Sequence, residues 1–272
     1  MQKNLKQIIK HSKVVSFDVF DTLLLRNVPH PQDIFTIIEE KHQIYNFKKK
    51  RIQAEIQARK TNFYNEITLN EIYQFLPNID MAYEIEVEKE SLFLNLEIYD
   101  LYQYAKDLNK TIIVISDMYL DKETLSQILH KNHLDAIEKI YVSSEYRLTK
   151  KEGALYERVL QDLNIKNPNN VLHIGDNTLS DVIMAKEKGI NSIHYQKKLI
   201  KNCSYKHFIM KQDVNSLKKA QAISLDNLKI NIEVTPLCYF KWLTFLLKQT
   251  YNKCIIFGIS SCIKKIFTRA HL

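Results

Sequence analysis

Ser16-Phe17-Asp18-Val19-Phe20-Asp21-Thr22-Leu23-Leu24-Leu25-Arg26 follows directly on the β-branched pair Val14-Val15. The run from Val14 to Phe17 is short and almost wholly apolar, which reads as a strand buried on both faces. It ends on a carboxylate, Asp18, with a second, Asp21, three residues on. In an open parallel sheet, ligands bind beyond the carboxyl ends of the strands. A carboxylate there can attack a phosphoryl group or hold a metal. Taken alone, the stretch reads equally well as a strand that closes in an Asx turn. The rest of the chain decides between them.

Residues 4–10 read as a short leading helix, and Pro29 and Pro31 mark the exit from the turn. From Gln32 to about Asn95 the pattern is helical throughout. Ile34, Ile37 and Ile38 share one face, Ile52 and Ile56 another, and Thr68-Leu69-Asn70-Glu71 is a capping box. Beyond Asn95, helix and strand alternate. Helices are expected over 98–108, 121–131, 151–163 and 179–188, and strands over 111–115, 140–142, 171–174 and 192–195. Strict alternation predicts βαβ units. The expected fold is α/β, a doubly wound Rossmann-like parallel sheet with the first strand central. Its core would be 1–30 and 96–200, with a helical insertion over 31–95.

Three later strands end in polar clusters, as the first does. Ser116-Asp117 follows one; Ser143, Ser144, Glu145 and then Lys150 follow another. Gly175-Asp176-Asn177 and Asp181 follow the third. In a parallel sheet these ends share one edge. A hydroxyl, a lysine and several carboxylates converging there are the parts of a magnesium-dependent phosphoryl-transfer site.

Charge divides the chain. Residues 1–195 hold 25 Lys/Arg against 28 Asp/Glu, while residues 196–272 hold 14 against 3. The basic character therefore belongs to the C-terminal segment and predicts an anionic partner for it, not for the first domain. No nucleic-acid role is expected of the core. Met1 to Lys13 is polar and basic and reads as no secretory leader. No run of 18 apolar residues suggests a spanning helix. The four cysteines, Cys203, Cys238, Cys254 and Cys262, form no CxxC pair and read as free thiols in a reducing cytoplasm.

Asp18 with Thr22, Ser116, Lys150, and Gly175-Asp176 with Asp181 together resemble the four motifs of the haloacid dehalogenase (HAD) superfamily. The resemblance covers residues 1–200, and the helical insertion falls where that superfamily carries its cap. SFDVFDTLLLR, ISDMYL, SSEYRLTKKEGALY and HIGDNTLSDV are similar to a bacterial branch associated with surface-polysaccharide synthesis. The resemblance implies Asp18 as a nucleophile that becomes an aspartyl-phosphate. Ser116 would hydrogen-bond the phosphoryl oxygens, and Lys150 would neutralise charge. It implies Mg²⁺ held by Asp18, the Phe20 carbonyl, Asp176 and Asp181. Thr22, Asp117, Asn177 and Arg59 are the candidate substrate contacts. Arg59 also reads more plainly as the end of an Arg51-Glu55-Arg59 charge ladder.

One departure changes the chemistry expected. Superfamily phosphatases place a general acid two residues after the nucleophile, where this chain has Phe20. Asp21, one residue further, is the remaining candidate acid. Two readings follow: a Mg²⁺-dependent phosphohydrolase of a small phosphorylated metabolite, or a non-catalytic phospholigand-binding or scaffold module in cell-envelope glycan assembly. In 201–272, PLCYFKWLTFLLKQ and KCIIFG resemble the opening helix and strand of a second α/β domain, here shortened. A basic amphipathic anchor on anionic lipid is the rival reading. Either way, 236–267 is expected to seek a membrane face, a protein partner or a second copy of the chain.

Overall fold

The computed structural model describes residues 2–28 and 30–196. The expectations for 201–272 lie outside the described residues. Helix α1 (Gln2–His11) leads into β1 (Val14–Phe17), all four residues of which are buried. The chain then turns through 18–23 into β2 (Leu24–Arg26), which pairs antiparallel with β3 (Leu92–Leu94). Between β2 and β3 lie α2 (Ile34–His42), α3 (Phe47–Thr61), α4 (Leu69–Tyr73) and α5 (Ala82–Ser91). This two-stranded stem corrects the reading of 32–95 as wholly helical. Strands of three residues are too short to display a period of two.

Beyond the stem come α6 (Leu96–Asp107), β4 (Thr111–Ser116), α7 (Lys122–Lys131), β5 (Lys139–Val142), the single turn α8 (Ser143–Tyr146) and α9 (Ala154–Asp162). The described chain closes with β6 (Val171–Gly175), a π-helical turn over Thr178–Ile183, α10 (Met184–Glu187) and β7 (Asn191–His194). The parallel sheet is ordered β5-β4-β1-β6-β7, with β1 central as the sequence predicts. Ile112, Ile113, Val114 and Ile115 are wholly buried. Such an unbroken apolar run suits a strand covered by helices on both faces. Each fully buried aliphatic side chain of this kind contributes roughly 1.5–3 kcal/mol of transfer free energy.

Register places the site. Phe17 pairs with Val114 on one side and with Ile174 on the other. Asp18, Ser116 and Gly175 therefore emerge at nearly one level of the sheet edge, and the Asp18 amide donates to the Ile174 carbonyl at 2.9 Å.

Two helices differ from expectation at their starts. The one expected from residue 151 begins at Ala154, because Lys150 to Gly153 form a turn whose last residue has φ +78°. The one expected from residue 179 opens as a π-helical turn capped by Asn177 Oδ1, which accepts from the amides of Leu179 and Ser180. A π-turn carries an extra residue per turn and often marks a functional position. Here it holds Asp181.

The crowd of glutamates on α5 sorts by helical period. Glu84 and Glu88 face inward, onto Arg51 and Arg26. Glu86 and Glu90 face outward, where Lys41 bridges them at 2.9 and 2.8 Å.

Candidate active site

At the carboxyl edge of the sheet, Asp18, Asp176 and Asp181 bring one ligating oxygen each within 4.8 Å of the others. Lys150 reaches them from the turn before α9. Its Nζ donates to Asp18 Oδ1 at 2.6 Å and to Asp181 Oδ1 at 2.7 Å, and the whole side chain is buried. Asp181 comes this close because residue 175 is glycine: a Cβ there would lie 2.3 Å from the Asp181 carboxyl carbon. The Asn177 amide donates to Asp181 Oδ2 at 2.9 Å and fixes its second oxygen.

The charges do not balance. Burial pushes the Asp18 carboxyl up; Lys150 pulls it back, but Asp181 and Asp176 push it further, and it comes to about 8. Asp181 moves the other way. Burial opposes its charge, yet Lys150 and His173 outweigh burial and hold it below the carboxylate range. Burial also disfavours the Lys150 ammonium, but Asp18 and Asp181 keep it charged well above its ordinary value. Three carboxylates with one ammonium form an all-oxygen donor set short of positive charge. That set fits a hard divalent cation such as Mg²⁺.

Two hydroxyls complete the edge. Ser116 Oγ and Thr22 Oγ1 are buried without a hydrogen-bond partner. An orphaned buried hydroxyl is costly unless something comes to meet it. Ser116 ends β4, and Thr22 lies in the turn that follows Asp18.

Other expected residues are placed differently. Asp21 stands outside the cluster, with φ 61°, and its Oδ2 faces Arg26 Nη1 at 3.5 Å. The Arg26 guanidinium lies 4.6 Å over the Phe20 ring and is bound by Glu88. Asp117, expected to touch substrate, instead accepts from the backbone amides of Lys150 and Lys151. Asn177 Oδ1 is likewise taken by the cap of the π-turn. Arg59 follows the plainer reading. It is bound by Glu55 at 3.0 Å and by Glu66 at 2.9 Å, with 45% of its side chain exposed.

A further polar line runs inside the sheet, without a motif in the sequence to mark it. Ser16 Oγ lies 2.9 Å from His173 Nδ1, and His173 Nε2 lies 3.3 Å from Asp181 Oδ1. Burial holds the imidazole below its ordinary value although Asp181 pulls it up. Ser16 and His173 meet because β1 and β6 pair in register. Without that pairing, they are 157 residues apart. The joint between insertion and core was also missed. Glu66, buried, accepts from Ser143 Oγ, which in turn accepts from the Met118 amide two residues beyond Ser116. Among the described residues no helix is long and apolar enough to cross a membrane.

Several solved structures share this fold. A HAD family enzyme from Bacteroides thetaiotaomicron is 15% identical with a TM-score of 0.51, over 70% of this chain and 96% of that one. An aspartate-to-alanine variant of that enzyme, in complex with magnesium and inorganic phosphate, is 16% identical with a TM-score of 0.50, over 74% and 100%. A dehalogenase solved with an intermediate complex is 13% identical with a TM-score of 0.50, over 77% and 96%. At these identities the likeness is one of fold. No curated protein matches the sequence. The haloacid dehalogenase-like hydrolase family, however, matches residues 12–189, a span that holds β1, the insertion and every strand end of the site. By that match the chain belongs to the haloacid dehalogenase-like hydrolases.

Proposed function

We propose that the chain is a Mg²⁺-dependent phosphohydrolase that works through an aspartyl-phosphate on a small phosphorylated metabolite. The observation that carries this reading is the cluster of Asp18, Asp176 and Asp181, with buried Lys150 joining Asp18 to Asp181. Asp18, Asp176 and Asp181, with the Phe20 carbonyl, would hold the cation. When bound, Mg²⁺ offsets the charge of the carboxylates and of the incoming phosphoryl group. The remaining chemistry belongs to the chain. An Asp18 oxygen attacks phosphorus, a new O–P bond forms, and the bond to the leaving oxygen breaks. Lys150 pulls the Asp18 carboxyl back toward its ionised form, against burial, and neutralises the phosphoryl oxygens. Ser116 and Thr22 donate to those oxygens and so satisfy their own hydroxyls. Water then hydrolyses the acyl-phosphate and regenerates the carboxylate.

Phe20 has no proton for the leaving oxygen, and Asp21 is turned toward Arg26. The substrates favoured are therefore aryl or acyl phosphates and anhydrides, whose leaving groups depart without protonation. The same observation favours the second reading, a phospholigand-binding or scaffold module. A role in surface-polysaccharide synthesis rests on the resemblance of the four motif stretches. A cytoplasmic location and contact of 236–267 with anionic membrane or protein are part of the same proposal. The deciding experiment is phosphate release from a panel of acetyl phosphate, p-nitrophenyl phosphate and sugar phosphates, with and without Mg²⁺. Mg²⁺-dependent release from the first two supports the hydrolase. Release from none by a folded protein leaves the binding module.

A further inference from the structure

Lys150 carries its charge on a flexible four-carbon stem. Its tip can hold one place only if its root is also fixed. The tip is fixed by Asp18 and Asp181. The backbone bonds of the turn itself fix it only to its own helix: the Gly153 amide donates to the Lys150 carbonyl at 2.9 Å and the Leu155 amide to the Thr149 carbonyl at 3.2 Å. What ties the turn to the sheet is Asp117. Its Oδ1 accepts from the Lys150 amide at 2.8 Å, and its Oδ2 lies 3.1 Å from that amide and 3.4 Å from the Lys151 amide.

We propose that Asp117 is the positioning residue for Lys150. It clamps the Lys150-Lys151 turn to the end of β4 and so sets where the ammonium arrives between Asp18 and Asp181. Ser116 and Asp117 are consecutive, so one step of backbone governs both a phosphoryl-facing hydroxyl and the lysine. The far side of that step is held as well, by Ser143 Oγ on the Met118 amide at 2.9 Å. The catalytic consequence rests on the phosphohydrolase reading above; the clamp itself does not.

The test uses the full chain and two readouts. In Asp117→Ala the amides of 150 and 151 lose their acceptor, and their hydrogen–deuterium exchange should rise about tenfold or more. With saturating Mg²⁺ and p-nitrophenyl phosphate, kcat should fall about 10²-fold, the scale of an ångström of misplacement, while KM stays put. Asp117→Asn keeps one acceptor and should recover most of kcat, which also guards against a variant that merely folds poorly. Combined with Lys150→Ala, Asp117→Ala should add nothing, because its effect runs through the lysine. Additive losses, a loss confined to KM, or unchanged exchange at 150 and 151 would each overturn the proposal. A wild type inert toward the aryl phosphate and the rest of the panel would sink the hydrolase reading instead. The exchange measurement then decides the clamp alone, kept by faster exchange and overturned by none.

Discussion

Among the described residues, the buried charges of the insertion and those of the sheet edge are built on opposite plans. In the insertion, Arg51 is wholly buried yet fully answered. Glu84 binds it through two contacts at 2.6 and 2.8 Å, Glu55 through a third, and the Tyr73 hydroxyl donates to Glu84 as well. Arg26 is bound by Glu88 at 2.7 Å and faces Asp21. At the sheet edge, Asp18 and Asp181 share one lysine with Asp176 close by, Asp18 is pushed far above its ordinary range, and the Ser116 and Thr22 hydroxyls have no hydrogen-bond partner. Matched charge gives structure its registry, at little net gain over an apolar filling. Unmatched charge and orphaned hydroxyls are tolerated where a ligand supplies what is missing. The comparison separates stability from activity, and each half can be broken alone.

The largest effect should come from Asp18→Asn. Loss of the nucleophile should lower turnover of a reactive phosphate by on the order of 10⁴ or more, measured by phosphate release. The amide also removes one member of a crowded carboxylate set. Thermal melting without Mg²⁺ should therefore show a midpoint equal to or above that of the wild type, since a site held ready for a ligand is a strained one. A marked fall in the midpoint would mean that the edge is matched after all.

Phe20→Asp probes the border between the two regions. A general acid is worth about 10²–10⁴-fold on a poor leaving group. The Arg26 guanidinium, which lies 4.6 Å over the Phe20 ring, would favour the ionised form of the new carboxylate. The gain on a sugar phosphate should then sit at the low end, near 10²-fold, with little change on acetyl phosphate. Equal gains on both substrates would show that leaving-group protonation is not what the wild type lacks.

The edge was legible in the sequence where its groups stand at or one residue past a strand end, and less so for Thr22, Lys150 and Asp181, which lie further along the chain. Asp18, Ser116 and Asp176 are read from the end of an apolar run, and parallel order does the rest. The matched region was not legible, because its partners are set by packing. Arg26 and Glu88 are 62 residues apart, and Arg51 and Glu84 are 33 apart. The stem of β2 and β3 was missed for its shortness. Asp117 stands beside Ser116 in sequence, but the partners its carboxylate has are amides from a turn that only the fold brings near. The π-turn escaped because periodicity over 179–188 does not distinguish one inserted residue from a regular helix.

Arg51→Ala is the counterpart of Asp18→Asn. It strands Glu84, which is 2% exposed, as an unpaired buried charge. Removing one partner of such a pair costs about 3–5 kcal/mol. Urea unfolding should show that loss, while kcat at a temperature where the variant stays folded should change far less than in Asp18→Asn. Comparable losses of turnover would show that the insertion's charge network acts in the chemistry.

The smallest effect lies where the matched plan reaches the surface. Glu71 closes the capping box of α4: it accepts from the Thr68 amide at 2.7 Å, while its own amide donates to Thr68 Oγ1 at 3.2 Å. It also accepts from Arg147 Nη1 at 2.6 Å, across the joint between insertion and core. Its side chain is 27% exposed. What burial it has raises its pKa, but the bonds from Arg147 and Thr68 outweigh this and lower it to about 2 from 4.5. A group whose pKa is lower in the folded state stabilises the fold above its unfolded value, and that stability fades as pH falls through the folded one. Because solvent screens so exposed a pair, Glu71→Gln should cost only about 1 kcal/mol near neutral pH. The gap between wild type and variant in urea unfolding should hold constant above the unfolded pKa of 4.5 and close as the pH falls toward 2. A gap that persists below that window would assign the effect to the shape of the side chain and not to its charge.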